Sequence, residues 1–165
     1  SELRREAGIR PQTVLQKLNA KIAHEAPGGL FLTLLYLVVD PRMRKFSFAS
    51  GGHEPLLLYQ KKRHEVEVLS SRDGRPLGIL PDETFTQEEA LAQEGDILLL
   101  VSDGVKEAMN AKKEMFGLER IRLAVRESAT KSSGEIIQHL LKRIQGFVKD
   151  APRHDDLTLV CAKFV

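Results

Sequence analysis

Residues 94–110 read EGDILLLVSDGVKEAMN and combine the strongest strand signal of the sequence with an acidic turn. Residues 93–96 are a turn signal, and residues 97–101 form a continuous apolar run of the kind found in buried strands. Asp103 follows this run, and Gly104 comes next. A glycine at this point lets the backbone turn sharply and brings its carbonyl close to a bound ion. The stretch therefore predicts a strand that ends at a carboxylate.

A second acidic segment, HDDLT at residues 154–158, opens the last apolar run, residues 157–165. Carboxylates at the ends of strands suit Mg²⁺ or Mn²⁺, because hard cations take oxygen ligands. Side chains alternate along a strand, so Asp155 and Asp156 cannot both face one site from regular β-structure. Two structural alternatives stay open. Asp103 can cap a helix that begins at Gly104, and the Asp155–Asp156 pair can be solvated turn acids.

The periodicity of the remaining chain predicts an α+β domain. A helix is expected over residues 11–26, with Val14, Leu15, Leu18 and Ile22 on one face. Ser132 and Glu135 form a capping box before an amphipathic helix. Further helices are predicted at 104–110 and 117–128, strands at 30–39, 45–49, 56–60, 65–69, 97–101 and 157–165, and an apolar run at 77–80. Because hairpin strands come first and helices late, antiparallel strands with helices packed outside are favoured over a doubly wound parallel sheet.

Length and composition limit the class of protein. The 165 residues predict one domain, 1–165, with residues 1–10 as a disordered or linker lead-in. The net charge is +2, basic residues are scattered, and no Trp is present, so no nucleic-acid surface is expected. The longest apolar stretch, 30–39, is too short to span a bilayer, and residues 1–10 have no signal-peptide core. The single cysteine, Cys161, fits a reducing cytosol and is expected to be buried rather than nucleophilic. These features predict a cytoplasmic protein without a membrane partner.

Other catalytic motifs are missing from the sequence. There is no His-Glu-x-x-His, Cys-x-x-Cys or Gly-x-Ser-x-Gly, and no glycine run has the spacing of a Walker or dinucleotide loop. His53, which follows Gly51 and Gly52, and His154 lie in predicted loops, where an imidazole can transfer protons. Metal-assisted hydrolysis is thus one hypothesis that the acidic segments support.

Several stretches, taken in order, resemble the metal-dependent protein phosphatases (PPM, protein phosphatase 2C-like). The resemblance is closer to the bacterial branch typified by stage II sporulation protein E and the environmental-stress sigma-factor regulators. The stretches are PQTVLQKLN (11–19), FLTLLYLVVD (31–40), FASGGHEP (48–55), PLGI (76–79), EGDILLLVSDGVKEAMN (94–110), FGLER (116–120) and DDLTLV (155–160). They cover the chain from about residue 11 to its end.

The resemblance implies a sandwich of antiparallel sheets flanked by helices, with a two-metal Mn²⁺ or Mg²⁺ site. It implies hydrolysis of phosphoserine or phosphothreonine on a partner protein, typically a STAS-type anti-anti-sigma factor, by metal-activated water. Asp103 and Asp155 match metal ligands of the family and are the candidate catalytic residues, with Asp156 and Gly104 as their supporting neighbours. Gly51, Gly52 and His53 match a family signature and form a candidate substrate-site loop.

One departure from the family pattern affects the expected activity. Members carry an earlier strand pair with an Asp-Gly-x-Gly-type motif, whose aspartate bridges the two metals, and residues 1–10, SELRREAGIR, contain no such motif. The chain thus resembles the domain without its first strands. We expect weak or no activity from it, with a non-catalytic binding module of the same fold as the alternative. Unpaired strand edges are expected to favour self-association.

Overall fold

The computed structural model describes residues 9–25, 29–71, 75–152 and 155–165. The helices in this part of the chain are α1 (Pro11–Glu25), α2 (Asp103–Glu107), α3 (Gly117–Ser128) and α4 (Ser133–Val148). The strands are β1 (Leu34–Asp40), β2 (Lys45–Gly51), β3 (Leu56–Gln60), β4 (Glu65–Leu69), β5 (Glu88–Leu91), β6 (Ile97–Val101) and β7 (Leu159–Lys163). All pairings between these strands are antiparallel, in two sheets ordered β1-β2-β5 and β4-β3-β6-β7. The predicted α+β class is confirmed.

The chain divides into two compact units, residues 1–53 with 70–91 and residues 54–69 with 92–165. The prediction of one domain over residues 1–165 stays a prediction. The lead-in expected over residues 1–10 lies largely outside the described residues. Among the helices described, none combines the length and the apolar character needed to cross a bilayer.

The first unit is organised around the β1–β2 hairpin. Its pairing runs from Leu34 opposite Gly51 to Asp40 opposite Lys45. Asp40 Oδ1 accepts the N–H groups of Arg42 (2.9 Å) and Met43 (3.0 Å), which closes the turn. The predicted hairpin is therefore confirmed, although β1 begins four residues later than expected.

Strand β5, on the other side of β2, was not predicted. Its sequence, Glu-Glu-Ala-Leu, has no alternation of apolar and polar residues. It forms through pairing with β2, where Lys45 also makes an ion pair with Glu89. A short strand of this kind is specified by its neighbour rather than by its own propensity.

Helix α1 buries a polar residue that the periodicity did not identify. Pro11, Leu15 and Asn19 form its buried line, whereas Leu18, expected on the buried face, is exposed. The side-chain amide of Asn19 forms all of its hydrogen bonds with the backbone of a single loop. Its Nδ2 donates to the carbonyl oxygens at positions 80 (2.8 Å) and 81 (3.0 Å), and its Oδ1 accepts from the N–H at position 78 (2.8 Å). The apolar run at 77–80 forms no strand, apart from one isolated bridge between Leu32 and Leu77. It is a loop, and the hydrogen bonds from Asn19 hold it against α1.

The second unit packs α3 and α4 against one face of the four-stranded sheet. Alternate residues of the two central strands supply the sheet side of this core: Leu57 and Tyr59 from β3, Ile97 and Leu99 from β6. The helices contribute Ile121, Val125, Ile136, Leu140 and Ile144. Strands β3, β4 and β6 and helix α3 lie at the predicted residues, and the capping box of Ser132 and Glu135 is present at the start of α4.

Two elements of the second unit are shorter than predicted. Helix α2 ends at Glu107. The next residue, Ala108, accepts the Phe116 N–H at its carbonyl (2.8 Å), and this hydrogen bond closes a loop between the two residues. Strand β7 covers Leu159–Lys163 rather than residues 157–165. In the β6–β7 pairing Val101 lies opposite Leu159, so the chain leaves β6 and enters β7 at the same end of the sheet.

Replacing Asn19 by alanine should lower the free energy of unfolding by roughly 2–3 kcal/mol, because three backbone groups lose their partner in a buried place. Urea denaturation measures the change. Gln16→Ala, at an exposed position of the same helix, is the matched control and should change stability by less than about 0.5 kcal/mol. Equal effects of the two substitutions would contradict the role given to Asn19.

Candidate metal centre and adjoining cleft

Asp103 and Asp155 lie on the two segments that leave β6 and enter β7. Asp103 is the first residue of α2, and Asp155 lies four positions before the start of β7. Both side chains are exposed. The β6–β7 pairing alone brings these segments to one end of the sheet, and two further contacts fix how closely they approach.

Ser102 joins the two acidic segments by hydrogen bonds. Its N–H donates to the Thr158 carbonyl (3.0 Å), and its Oγ accepts the Thr158 N–H (3.1 Å). The same Oγ donates to the Asp156 carbonyl (3.2 Å). Ser102 precedes α2 but makes no side-chain cap there, so its hydroxyl serves the neighbouring segment instead. This role of Ser102 was not predicted, because its partners lie more than 50 residues away in sequence.

Gly104 lets the segments meet at van der Waals distance. A methyl group added at this buried glycine would overlap the Asp156 carbonyl oxygen and lie 3.2 Å from Asp155 Cβ. The residue after Asp103 therefore touches the backbone of the Asp155–Asp156 pair directly. Only glycine leaves room for this approach, which places the two predicted ligand positions beside each other.

The carboxylates of Asp103 and Asp155 are oriented in the same way. Asp103 Oδ1 accepts the N–H of Gly104 (2.9 Å), and Asp155 Oδ1 accepts the N–H of Asp156 (2.7 Å). Helix capping, the alternative considered for Asp103, is not observed, since Ser102 occupies the cap position and Asp103 is already helical. Neither Asp155 nor Asp156 lies in β7, so the alternation of side chains along a strand does not set the directions of their carboxylates.

The donors present suit one hard cation but form an incomplete set. Asp103 and Asp155 offer carboxylate oxygens, the ligands that Mg²⁺ and Mn²⁺ prefer. Within the described ranges, no group of three or more His, Cys, Asp or Glu side chains is placed to hold a metal ion. His154, next to Asp155, lies outside the described residues. The assignment of Asp103 and Asp155 as ligands stays a prediction.

An open cleft of about 800 Å³ adjoins the acidic segments. Its walls come from α2, the end of α4 and the Asp155–Asp156 segment, and they mix apolar and charged groups. The residues that line it include Gly104, Glu107, Met109, Ile144, Lys149 and Asp155. A side chain or a short peptide segment fits into a cleft of this size.

An ion pair anchors α2 to the start of β3. Lys106 Nζ lies 2.7 Å from Glu54 Oε1, and both side chains are partly buried. Lys106 follows Asp103 by three residues, so the pair restrains the helix that carries the candidate ligand. Glu54 belongs to the GGHEP stretch of the predicted signature, and its structural role was not predicted.

The glycines of the candidate substrate-site loop have a packing role. A methyl group at Gly51 would overlap Leu77 Cδ1, and one at Gly52, whose φ is +71°, would lie 2.9 Å from Pro76 N. Ser50 Oγ accepts the His53 N–H (3.2 Å) and donates to the His53 carbonyl (3.3 Å). These contacts explain why two glycines precede His53. A role of this loop in substrate binding stays a prediction.

Gly104→Ala should destabilise the chain by roughly 1–3 kcal/mol, because the added methyl group overlaps the Asp156 carbonyl and pushes the acidic segments apart. Gly146→Ala is the matched control, since that glycine lies inside α4 with open space around its Cα. This control should raise stability by roughly 0.5–1 kcal/mol through helix propensity. Thermal and urea unfolding of both variants test the difference in sign, and a neutral Gly104→Ala would contradict the close approach.

Cys161 should react slowly with alkylating reagents in the folded protein. It is half-buried in β7, and burial raises the pKa of its thiol from the ordinary 9.0 to about 11. Because the unfolded chain loses this proton at lower pH, the thiol's contribution to stability is complete below pH 9.0 and declines as pH rises towards about 11. Iodoacetamide labelling at pH 8, followed by mass spectrometry with and without urea, measures the protection. Equal labelling rates in the two states would show a reactive thiol.

Comparison with known proteins places this fold and its motifs in one family. Residues 2–165 match the family "Stage II sporulation protein E (SpoIIE)". The chain is 31% identical over 157 residues to phosphoserine phosphatase RsbU of Bacillus subtilis (strain 168), which covers 94% of this chain and 45% of that protein. The chain thus spans less than half the length of this relative.

Solved structures share the fold at low sequence identity. The SiaA-PP2C domain of Pseudomonas aeruginosa superposes with a TM-score of 0.81 at 19% identity, over 99% of this chain and 64% of that one. The manganese-presoaked phosphatase domain of the cell fate determinant SpoIIE from Bacillus subtilis gives 0.68 at 17% identity, over 96% and 68%. Together with the family match, these likenesses confirm the resemblance found in the sequence. The chain belongs to the stage II sporulation protein E family.

Proposed function

We propose that this chain is the metal-binding part of a protein serine/threonine phosphatase that acts at the Asp103–Asp155 site. The observation that carries the proposal is the contact of Gly104 with the Asp155–Asp156 segment, which brings the backbone that carries Asp103 to the backbone that carries Asp155, and both aspartates are exposed. Family membership supports phosphatase chemistry at this position. The name of the relative RsbU, a phosphoserine phosphatase, supports phosphoserine as the group hydrolysed.

Asp103 and Asp155 would hold Mn²⁺ or Mg²⁺ through the carboxylate oxygens that their neighbouring amides leave free. A divalent ion, when bound, lowers the pKa of a water ligand and neutralises charge on phosphoryl oxygens. The N–H groups of Gly104 and Asp156 fix the orientation of the two carboxylates. Less conformational entropy is therefore lost when a metal ion binds to them. The manganese soak of the SpoIIE phosphatase domain supports this choice of ion.

The substrate is proposed to be a phosphoserine or phosphothreonine residue of a partner protein, of the STAS anti-anti-sigma type, in the cytoplasm. The cleft of about 800 Å³ beside Asp155 can accept such a side chain and part of its peptide. Lys149 in its wall provides a positive charge near the phosphate. Gly51, Gly52 and His53 are proposed to contribute on the substrate side, on the strength of the family signature.

The incomplete donor set favours weak activity of the chain by itself. Two carboxylates bind a hard cation less tightly than the six or more oxygens of a complete site. The same observation, that the described residues offer no third acidic ligand, favours a second candidate function. In that function the domain captures a phosphorylated partner without hydrolysing it.

Metal titration tests the site directly. Isothermal calorimetry with Mn²⁺ should give weak binding, and Asp103→Asn or Asp155→Asn should weaken it at least about tenfold, because each removes a charged ligand. Asp150→Asn, at an exposed aspartate near the end of α4, is the charge-matched control and should change affinity less than about twofold. Unchanged Mn²⁺ binding in Asp103→Asn would overturn the assignment.

Hydrolysis assays separate the two candidate functions. Slow, Mn²⁺-dependent release of p-nitrophenol from p-nitrophenyl phosphate that is lost in Asp103→Asn would support the phosphatase. Binding of a phosphoserine peptide with no turnover at any Mn²⁺ concentration would support the binding module. Fast turnover by the chain alone would contradict the expected weakness of the site.

A further inference from the structure

A second open groove, of about 1220 Å³, lies beside the cleft of the acidic segments, in the same unit of the chain. One wall is the loop at residues 109–114, and the other is the end of α4 with the residues after it, 146–152. The groove and the cleft are continuous, because they share five lining residues: Met109, Val148, Lys149, Ala151 and Pro152. A peptide that occupies the cleft can therefore extend directly into the groove.

The loop wall of the groove is held in shape by one side chain. Asn110 Oδ1 accepts the N–H groups of Lys112 (2.9 Å) and Glu114 (3.1 Å). Its Nδ2 donates to Glu114 Oε2 (2.7 Å), and its backbone N–H donates to the Glu114 carbonyl (3.1 Å). The loop is thus closed by its own hydrogen bonds, without help from a bound partner.

Arg120 connects the loop wall to the helix wall. Its Nη1 donates to the carbonyl oxygens at positions 115 and 116, both at 3.0 Å, directly after the loop. Its Cζ atom lies 4.5 Å from the centre of the Phe147 ring, and Phe147 lines the groove from α4. Because these contacts fix both walls, the groove is formed in advance, and less order has to be gained when a segment binds.

Exposed lysines line the groove. They are Lys112, Lys113 and Lys149, and their ammonium groups form no hydrogen bond or ion pair with any other residue that the structure describes. The lining also contains two acids, Glu114 and Asp150, of which Glu114 is already engaged by hydrogen bonds within the loop. Positive charge is therefore in excess along the groove and is available to a partner.

The adjoining cleft has the opposite charge. Among the described residues that line it, acids outnumber bases, with Glu107, Asp155 and Asp156 against Lys149. Acidic side chains next to a phosphorylated residue are repelled by the carboxylates of the cleft and attracted by the lysines of the groove. The two charges thus favour one placement of a partner, with its acidic residues in the groove.

We propose that the groove binds an acidic segment of the partner protein, beside the phosphorylated serine or threonine that enters the cleft. The position of the phosphate rests on the proposed function, whereas the acidic segment rests on the lysines of the groove. The segment also carries a large apolar side chain, since apolar residues line the groove as well: Met109, Phe147, Val148 and Pro152. The groove then selects a phosphoprotein by the residues that flank its phosphate.

Peptide binding without metal tests the groove separately from the metal centre. The probes are a fluorescent peptide of glutamate and leucine residues around one serine, and the same peptide with glutamine in place of glutamate. Fluorescence anisotropy should show at least about threefold tighter binding of the glutamate peptide to the unmodified chain. Lys112→Glu combined with Lys113→Glu should remove this preference, because attraction becomes repulsion. Lys61→Glu combined with Lys62→Glu, at adjacent exposed lysines after β3, is the charge-matched control and should keep it.

Phosphoserine in the same two peptides, with Mn²⁺ present, tests whether groove and cleft act together. The phosphorylated glutamate peptide should bind more tightly than its unphosphorylated form and than the phosphorylated glutamine peptide, since one chain occupies both places. Equal affinities of the glutamate and glutamine peptides would overturn the groove, even if phosphate tightens both and so supports the metal centre. A glutamate preference without any effect of phosphate would keep the groove and contradict the proposed function. Loss of the preference in both lysine variants alike would show a general charge effect and would also overturn the groove.

Discussion

The contact on which the candidate site depends is the approach of the Gly104 backbone to the Asp156 carbonyl. Strand pairing brings the ends of β6 and β7 to one end of the sheet, but pairing alone leaves two loops free to diverge. Two residues hold these loops together. Gly104 has no side chain, so its backbone can contact the Asp156 carbonyl, and the Ser102 hydroxyl forms hydrogen bonds to the backbone of Asp156 and Thr158. The approach of the two backbone segments that carry Asp103 and Asp155 depends on these two residues, neither of which is a candidate ligand.

The rigidity of the site comes from the core beneath it. Strand β6 pairs with β3 on one side and β7 on the other, and Ile97, Leu98 and Leu99 are almost fully buried. Each side chain of this size contributes about 1.5–3 kcal/mol by leaving water, so moving the strand is costly. Asp103 lies two residues after the end of this strand and is exposed. The arrangement combines a fixed backbone with carboxylates that are open to solvent, which is what metal binding from solution needs.

The parts of the fold that the sequence predicts are those in which a residue's own pattern determines its structure. The run at 97–101 and the capping box at Ser132 and Glu135 are local signals, and both are confirmed. Strand β5 was missed because its pairing partner, β2, determines it, and Asn19 was missed because its three hydrogen-bond partners lie about 60 residues away in sequence. The same holds for the site. Asp103 and Asp155 stand out as acids near strand ends, whereas the role of Ser102 depends on a segment more than 50 residues away.

The glycines and the aspartates of the family signature carry different information. Gly51, Gly52 and Gly104 are each required by close packing, since a methyl group at any of them would meet another part of the chain. Their presence therefore supports the fold, and a binding module without activity would need them equally. Asp103 and Asp155 are exposed, and the hydrogen bond that each accepts comes from the next residue in the chain, so the core does not require them. Substitutions at these two carboxylates therefore change the candidate site without disturbing the packing of the domain, whereas substitutions at the three glycines change both.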